Sequence, residues 1–257
     1  MGAANPTTAL IIFLIITLAY FIIKYFVTSP TQIKIWTFVY YLLVVVSQFA
    51  INVSITKDVC GFNQFGLAAI TTFVPWIVIF GFLNLMLVMF PGWLIPFSNT
   101  IGYFFCYVTG ISKFFKSILK DRNTLNLDKN KAAIVQALDN VYEDSSMLIN
   151  QITIPELPEW WKTMKEGGLL KAGVGNDQYN ELSKYILLKN NISEFTWFVL
   201  TGGLVTSASY NYILNSGCQQ SVSEMKKRHT EYVEKDKKIS ENAKKGGSKQ
   251  MVYKGYE

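Results

Sequence analysis

Few residues in this sequence have the types and spacing that catalysis requires. The single histidine, His229, lies in a strongly charged stretch near the C-terminus. Ser-His-Asp and Cys-His mechanisms would need it at an organised site. The three cysteines, Cys60, Cys106 and Cys218, show neither zinc-site spacing nor a Cys-x-x-Cys pair. Walker A and His-Glu-x-x-His motifs are also missing from the sequence. We therefore expect no enzymatic activity, no cofactor and no bound metal.

The composition divides the chain into two unlike halves. Half of the 257 residues are hydrophobic and 16% are charged, whereas soluble proteins carry about 25% charged residues. The shortfall is concentrated in residues 1–112, where the only charged side chains are Lys24, Lys34, Lys57 and Asp58. This pattern predicts an all-α, polytopic membrane protein with a charged second half.

Four apolar stretches have the length of a membrane span. About 20 helical residues cross the hydrocarbon core of a bilayer, which is about 30 Å thick. Stretches near residues 9–27, 35–55 and 67–90 fit this length. A fourth, 191–215, opens with Asn191-Ile192-Ser193-Glu194, which is typical of a helix N-cap with an acidic residue after it. We expect about four transmembrane helices.

A charge-free stretch from Val59 to Ser112 is too long for one span. Pro91-Gly92 breaks it, because proline cannot continue a helix and glycine turns easily. We interpret residues 94–112 as an interfacial or re-entrant segment. The alternative is a short additional span from Pro96 to Ser112. The residues of this turn and interface motif are Pro91, Gly92, Trp93, Pro96, Ser98 and Asn99.

The remaining residues have the composition of soluble segments. Residues 113–190 predict a small helical extramembrane module, in which Asp128 would cap a helix. Residues 216–257 predict a basic, partly disordered tail that supplies much of the net charge of +6. Acidic residues are interleaved with its lysines, which favours contact with solvent or anionic lipid. We expect no specific binding of nucleic acid.

Small and polar side chains inside the spans indicate where helices meet. Small residues allow close approach of two backbones, and polar side chains hydrogen-bond across the contact. The candidate packing residues are Gln48 and Asn52 in the second span and Gly202, Gly203, Thr206 and Ser207 in the last. The polar side chains could instead line a conduction path. In that alternative the protein is a channel or transporter.

Two stretches resemble a known family of proteins. They are Phe90-Pro91-Gly92-Trp93-Leu94-Ile95-Pro96-Phe97-Ser98-Asn99-Thr100-Ile101-Gly102-Tyr103, and residues 192–212, which begin Ile192-Ser193-Glu194-Phe195-Thr196-Trp197. Together they resemble membrane proteins of nucleocytoplasmic large DNA viruses, the algal-virus and giant-virus group. The resemblance implies a structural minor capsid or anchoring protein of the virion internal membrane, present in host-derived, ER-type membranes during assembly. It implies as partners the lipid bilayer, capsid or other virion proteins, and further copies in an oligomer. The alternative function is a viral membrane channel or transporter.

The distribution of positive charge predicts the topology. Lys24 and Lys34 flank the first loop, and a cluster of basic residues begins at Lys113. The positive-inside rule places both on the cytosolic face. If residues 94–112 do not cross, the Cys60 loop and the Cys218 tail share the opposite face. Cys60 and Cys218 can then form a disulfide, which leaves Cys106 as a free thiol.

Overall fold

The computed structural model describes residues 6–121, 143–218 and 222–245. Over these ranges the chain is helical, apart from turns and one isolated antiparallel bridge between Leu119 and Leu170. The all-α expectation is confirmed for this part of the chain. The helices are α1 (Pro6–Phe26), α2 (Pro30–Cys60), α3 (Phe65–Met89), α4 (Pro91–Thr109), α5 (Ile111–Ile118), α6 (Leu157–Glu166), α7 (Asn176–Asn215) and α8 (Val222–Lys245), with a 3-10 helix at Ser145–Gln151.

Three of the described helices, α1, α2 and α3, are long and apolar enough to cross a membrane. The number rises to four if α4 and α5 count as one bent span. These two helices meet at 71°, and Gly110 between them has φ +108°, a conformation that glycine adopts readily. Helix α7 does not belong to this apolar set, so its crossing of the membrane stays a prediction.

The predicted helix start at Asn191 is wrong. Helix α7 runs without a break from Asn176 to Asn215. The Asn191 side chain donates a hydrogen bond to the Phe21 carbonyl of α1 over 3.1 Å. The Ser193 hydroxyl donates to the Lys189 carbonyl one turn earlier, at 2.6 Å. These side chains therefore make contacts within and between helices instead of capping a helix end.

Pro75 lies within α3 without ending it. Proline lacks the backbone N–H of a regular helix and clashes with the preceding turn. The chain accommodates it in a π-helical segment, Val74–Phe80, which leads directly into the rest of the helix. The segment holds Trp76 and Phe80, whose side chains are almost fully buried in the bundle.

The first hydrophobic core lies among α1, α2, α3 and α7. Aromatic rings dominate it, with the Phe13 and Trp76 centroids 5.3 Å apart and those of Phe80 and Phe198 5.6 Å apart. The outward faces of α1, α2 and α3 carry exposed apolar side chains, as helices in contact with lipid do. The buried residues of this bundle core are Phe13, Tyr20, Phe21, Tyr40, Val44, Trp76, Phe80, Leu87, Phe198 and Val205.

The second core belongs to what we call the surface module: α5, the 3-10 helix, α6 and the N-terminal part of α7. The apolar face of α5, including Phe115, packs into this core, whereas Lys113 and Lys116 are exposed. The predicted helix cap at Asp128 lies outside the described residues. The buried residues of the module core are Cys106, Ile111, Phe114, Phe115, Ile118, Leu119, Leu148, Ile149, Ile152, Leu157, Met164, Leu170, Leu182 and Ile186.

Residues 216–257 form a separate unit. Its described residues are 216–218 and α8, Val222–Lys245, a helix whose sequence is rich in Lys and Glu. Exposed Met225, Tyr232 and Ile239 recur at every seventh position along it. The part of the tail from 246 onward, for which we predicted disorder, lies outside the described residues.

Candidate functional site

The candidate site is the junction at which the bundle meets the surface module. It is built on α7, which lies antiparallel to α1. Phe13 lies against Gly202, Phe21 contacts Phe198, and Lys24 meets Glu194, so residue numbers rise along one helix as they fall along the other. Side chains 170 positions apart in the sequence therefore come together at the end of α1.

Lys24 and Glu194 form an ion pair at this junction. The Lys24 Nζ lies 2.5 Å from Glu194 Oε2, and the two side chains are only 20% and 27% exposed. The ammonium group also lies 5.4 Å from the centre of the Phe21 ring. Partial burial strengthens the attraction between opposite charges, because water screens them less. The pair fixes the end of α1 against α7.

Helix α4 packs along α7, beginning beside the last turns of α1. Phe97 lies against Trp197 near the start of α4, with ring centroids 6.1 Å apart. Farther along, the Cys106 thiol donates to the Tyr185 carbonyl at 3.3 Å. At Gly102 the two helices approach so closely that an added Cβ would lie 2.7 Å from the Lys189 carbonyl oxygen. Only glycine permits this contact, which holds the two helix backbones together.

Lys189 links α7 to the 3-10 helix of the surface module. Its side chain is 3% exposed, and Nζ donates to the Ile149 carbonyl over 2.6 Å. Burial disfavours the charged ammonium and lowers the pKa of Lys189 to about 8, with Cys106 acting weakly in the opposite direction. This hydrogen bond from a buried lysine to the Ile149 carbonyl is a specific tertiary contact. It holds the 3-10 helix against α7.

Both predicted amides of the second span are buried and hydrogen-bonded to neighbouring helices. Gln48 Nε2 donates to the Ala9 carbonyl of α1 at 2.9 Å. Asn52 Nδ2 donates to the Thr72 hydroxyl of α3 at 2.8 Å. Each side chain is at most 2% exposed. The structure therefore places these side chains at helix contacts.

The small residues of α7 do not all face the bundle. Gly202 and Thr206 are buried, and an added Cβ at Gly202 would overlap the Phe13 ring. Gly203 is half-buried, with the nearest atom to an added Cβ being Leu10 Cδ1 at 3.9 Å. Ser207 is exposed, contrary to its assignment as a packing residue. Each helical step turns the side chain by about 100°, so the positions after Gly202 and Thr206 point sideways.

The turn and interface motif lies at the start of α4. Trp93 stacks on Phe90, with ring centroids 6.0 Å apart and planes 21° from parallel. It also contacts Trp197 of α7 at 6.0 Å. Of the motif residues, Pro91, Gly92, Trp93 and Pro96 are exposed, Asn99 is half-buried and Ser98 is buried.

The three cysteines are not in the same state. Cys60 and Cys218 are both disulfide-bonded, and Cys106 is a free, buried thiol. No group of three or more His, Cys, Asp or Glu residues that could hold a metal occurs in the described ranges.

Sequence reasoning missed Gly102, Lys189 and the partner of Lys24. Lys189 and Glu194 are ionisable residues flanking an apolar stretch, and such residues are commonly paired. That signal marks the residues but not their partners, which only the packing of α7 against α1 and α4 supplies.

The chain matches no protein-family profile, and neither curated proteins nor solved structures show significant similarity to it.

Proposed function

We propose that this is a structural integral membrane protein that holds a rigid helical module at the membrane surface. The observation that carries the proposal is the continuity of α7, a 40-residue helix. Its C-terminal part contributes Phe198 and Val205 to the bundle core, and its N-terminal part contributes Leu182 and Ile186 to the module core. A continuous helix shared by two cores transmits position and force without a flexible linker.

The positions of the helices along α7 support four membrane-spanning helices, α1, α2, α3 and α7, with α4 not among them. From Glu194 to Asn215 α7 rises about 31 Å at 1.5 Å per residue, close to the thickness of the hydrocarbon core. The ion pair with Lys24 would then mark one membrane boundary. Helix α4 passes Trp197 at its start and Tyr185 near its end, so it runs about 18 Å along α7, and most of that length lies beyond Glu194.

Helices α4 and α5 together present a surface to which a partner can bind. Helix α4 carries the exposed apolar side chains of Phe104, Tyr107 and Val108. Lys113 and Lys116 on α5 follow them and are also exposed. Exposed apolar residues beside positive charge suit either a protein partner or the headgroup region of the bilayer. We take the protein partner to be a capsid or other virion component.

The viral setting follows from the resemblance of residues 90–103 and 192–212 to membrane proteins of large DNA viruses. In that setting the protein anchors or shapes the virion internal membrane and links it to the capsid. Gln48 and Asn52 give limited support to the channel alternative, because their amide donors are engaged with Ala9 and Thr72. A conduction path needs polar groups that remain available to ions or water.

Cross-linking of purified particles with lysine-reactive reagents tests this proposal. We expect Lys113, Lys116 and Lys162, all exposed on the surface module, to cross-link to capsid proteins. Exposed Lys57 at the end of α2 serves as the control and should not, because it lies toward the other end of the bundle. Cross-links to capsid from Lys57 alone, or release of the protein by alkaline carbonate, would contradict the proposal.

A further inference from the structure

A pocket of about 300 Å³ opens where α1, α2, α3 and α7 converge beside the Lys24–Glu194 pair. Its size is at the lower end of that of small-molecule sites. One side is apolar and includes Leu87, Val88 and Leu94. The other side carries the polar groups of Tyr20, Lys24, Thr37, Tyr41, Asn84 and Glu194.

Asn84 is the unusual member of this lining. Its side chain is 8% exposed, and its Nδ2 donates to the Phe80 carbonyl one turn earlier at 2.7 Å. Its Oδ1 is buried and accepts no hydrogen bond from any described residue. A buried acceptor without a donor is costly, so a residue of the pocket wall that holds one suggests that a ligand supplies the donor once the side chain turns toward the pocket.

The other polar groups of the lining indicate which charges and hydrogen-bond donors the ligand has. Glu194 is anionic and accepts hydrogen bonds, whereas Lys24 retains donors beyond the one used toward Glu194. The hydroxyl groups of Tyr20 and Thr37 hydrogen-bond to each other, with 2.9 Å between the two oxygens. The Tyr41 hydroxyl lines the same pocket and can donate or accept a hydrogen bond. A cation with N–H donors fits Asn84 and Glu194, and an anion on the same molecule fits Lys24.

We propose that this pocket binds a zwitterion that pairs a primary ammonium with a phosphate, as in the headgroup of an ethanolamine phospholipid. The ammonium lies at Asn84 Oδ1 and the Glu194 carboxylate, and the phosphate lies at Lys24. The location agrees with a lipid source, because the pocket lies at the level where Lys24 ends the apolar part of α1. Val88, 80% exposed at the pocket wall, leaves room for acyl chains to run along α3.

Such a site would distinguish ethanolamine from choline phospholipids. A choline headgroup carries the same charges as ethanolamine, but its quaternary nitrogen has no N–H to donate. It therefore cannot satisfy Asn84 Oδ1. Preference for ethanolamine over choline lipid measures this hydrogen bond while charge stays constant.

The test uses the full-length protein reconstituted in nanodiscs that contain equal amounts of phosphatidylethanolamine and phosphatidylcholine with matched acyl chains. Retained lipid is counted by native mass spectrometry after release. We expect ethanolamine lipid to exceed choline lipid about five- to tenfold in the tightly bound fraction, the scale of one hydrogen bond to a buried acceptor. Asn84→Leu should abolish the preference.

Asn52→Leu is the matched control. It removes another buried asparagine of the bundle, but Asn52 donates to Thr72 and does not line the pocket. It should lower thermal stability and keep the lipid preference. Equal retention of the two lipids by the wild-type protein, or a preference that survives Asn84→Leu, overturns the proposal.

A second arm identifies the source of the zwitterion. Soluble phosphoethanolamine is titrated into the protein in choline-only nanodiscs while thermal unfolding is followed. A rise in the midpoint that Asn84→Leu removes supports the same site with a soluble zwitterion as ligand. The absence of any rise, together with retention of ethanolamine lipid in the first arm, supports the lipid as the ligand.

Discussion

The ring of Phe13 lies directly against Gly202, so this contact between α1 and α7 depends on a missing side chain. We expect Gly202→Ala to destabilise the detergent-solubilised protein by about 1–3 kcal/mol, since an added methyl group overpacks the contact. Thermal or denaturant unfolding measures the change. Gly203→Ala is the control, because its Cβ would find ordinary contact at Leu10. Equal effects of the two substitutions would show that Gly202 does not determine this contact.

The approach of α4 to α7 makes a second prediction at Gly102. Gly102→Ala places a methyl group 2.7 Å from the Lys189 carbonyl oxygen and 2.9 Å from Lys189 Cγ, so one helix must shift. We expect faster proteolysis of the surface module and a loss of stability of about 1–3 kcal/mol. The control is Gly92→Ala near the start of the same helix, where the nearest atom would be 3.8 Å away. Unchanged proteolysis of the Gly102 variant would contradict the packing described.

The Lys24–Glu194 pair is predicted to stabilise the junction of α1 with α7. Lys24→Met should cost about 1.5–3 kcal/mol, the range for a hydrogen bond to a charged group, because it leaves Glu194 partly buried without a partner. The charge-exchanged double variant, Lys24→Glu with Glu194→Lys, should recover part of the loss. Lys162→Met is the control, since the Lys162–Glu166 pair is 3.8 Å long and well exposed. It should change stability by less than about 0.5 kcal/mol, and a comparable loss in both single variants would refute the role of the junction pair.

Lys189 predicts a pH dependence of unfolding. Burial lowers its pKa to about 8 in the folded protein, below its ordinary value of 10.5. Between these two values the unfolded chain holds a proton that the folded chain has released, so this group makes stability rise with pH across that window. The contribution is complete above pH 10.5 and is lost as the pH falls through about 8. Lys189→Met should flatten the rise in unfolding temperature between pH 7 and 10, and an unchanged slope would show that Lys189 does not titrate there.

Thiol chemistry tests the predicted topology and disulfide. We expect mass spectrometry of the non-reduced protein to find Cys60 linked to Cys218. In sealed vesicles, single-cysteine variants that retain either Cys60 or Cys218 should label from one face with an impermeant reagent. A Thr163→Cys reporter at an exposed position of α6, in a chain without other cysteines, should label from the opposite face. Labelling of Cys60 and Cys218 from opposite faces would mean that residues 94–112 cross the membrane.

The sequence was a good guide to α1, α2 and α3 because apolar length is a local property. The stretches 9–27, 35–55 and 67–90 lie within or almost within helices that the structure finds long and apolar enough to span. The break at Pro91-Gly92 was equally visible, since it depends on the backbone chemistry of those two residues. Residues 94–112 were harder, because an amphipathic or aromatic segment can lie on lipid or on protein.

Helix α7 illustrates what local patterns miss. Asn191, Ser193 and Glu194 have the types of an N-cap, yet they continue a helix in which each has a tertiary or intrahelical partner. Polar residues are tolerated there because the neighbouring helices α1 and α4 supply those partners. A pattern read along the chain cannot include partners that lie far away in sequence.

By itself, the sequence determined that the chain is helical over the described residues, that its first half is apolar enough for a membrane and that small residues cluster in the C-terminal part of α7. The tertiary structure decided that Gly202 and not Gly203 receives the Phe13 ring, that Glu194 meets Lys24, and that Lys189 is buried against Ile149. The physical reason is that composition and periodicity act over one or two helical turns. The rotation and level of one helix against another depend on all the side chains between them.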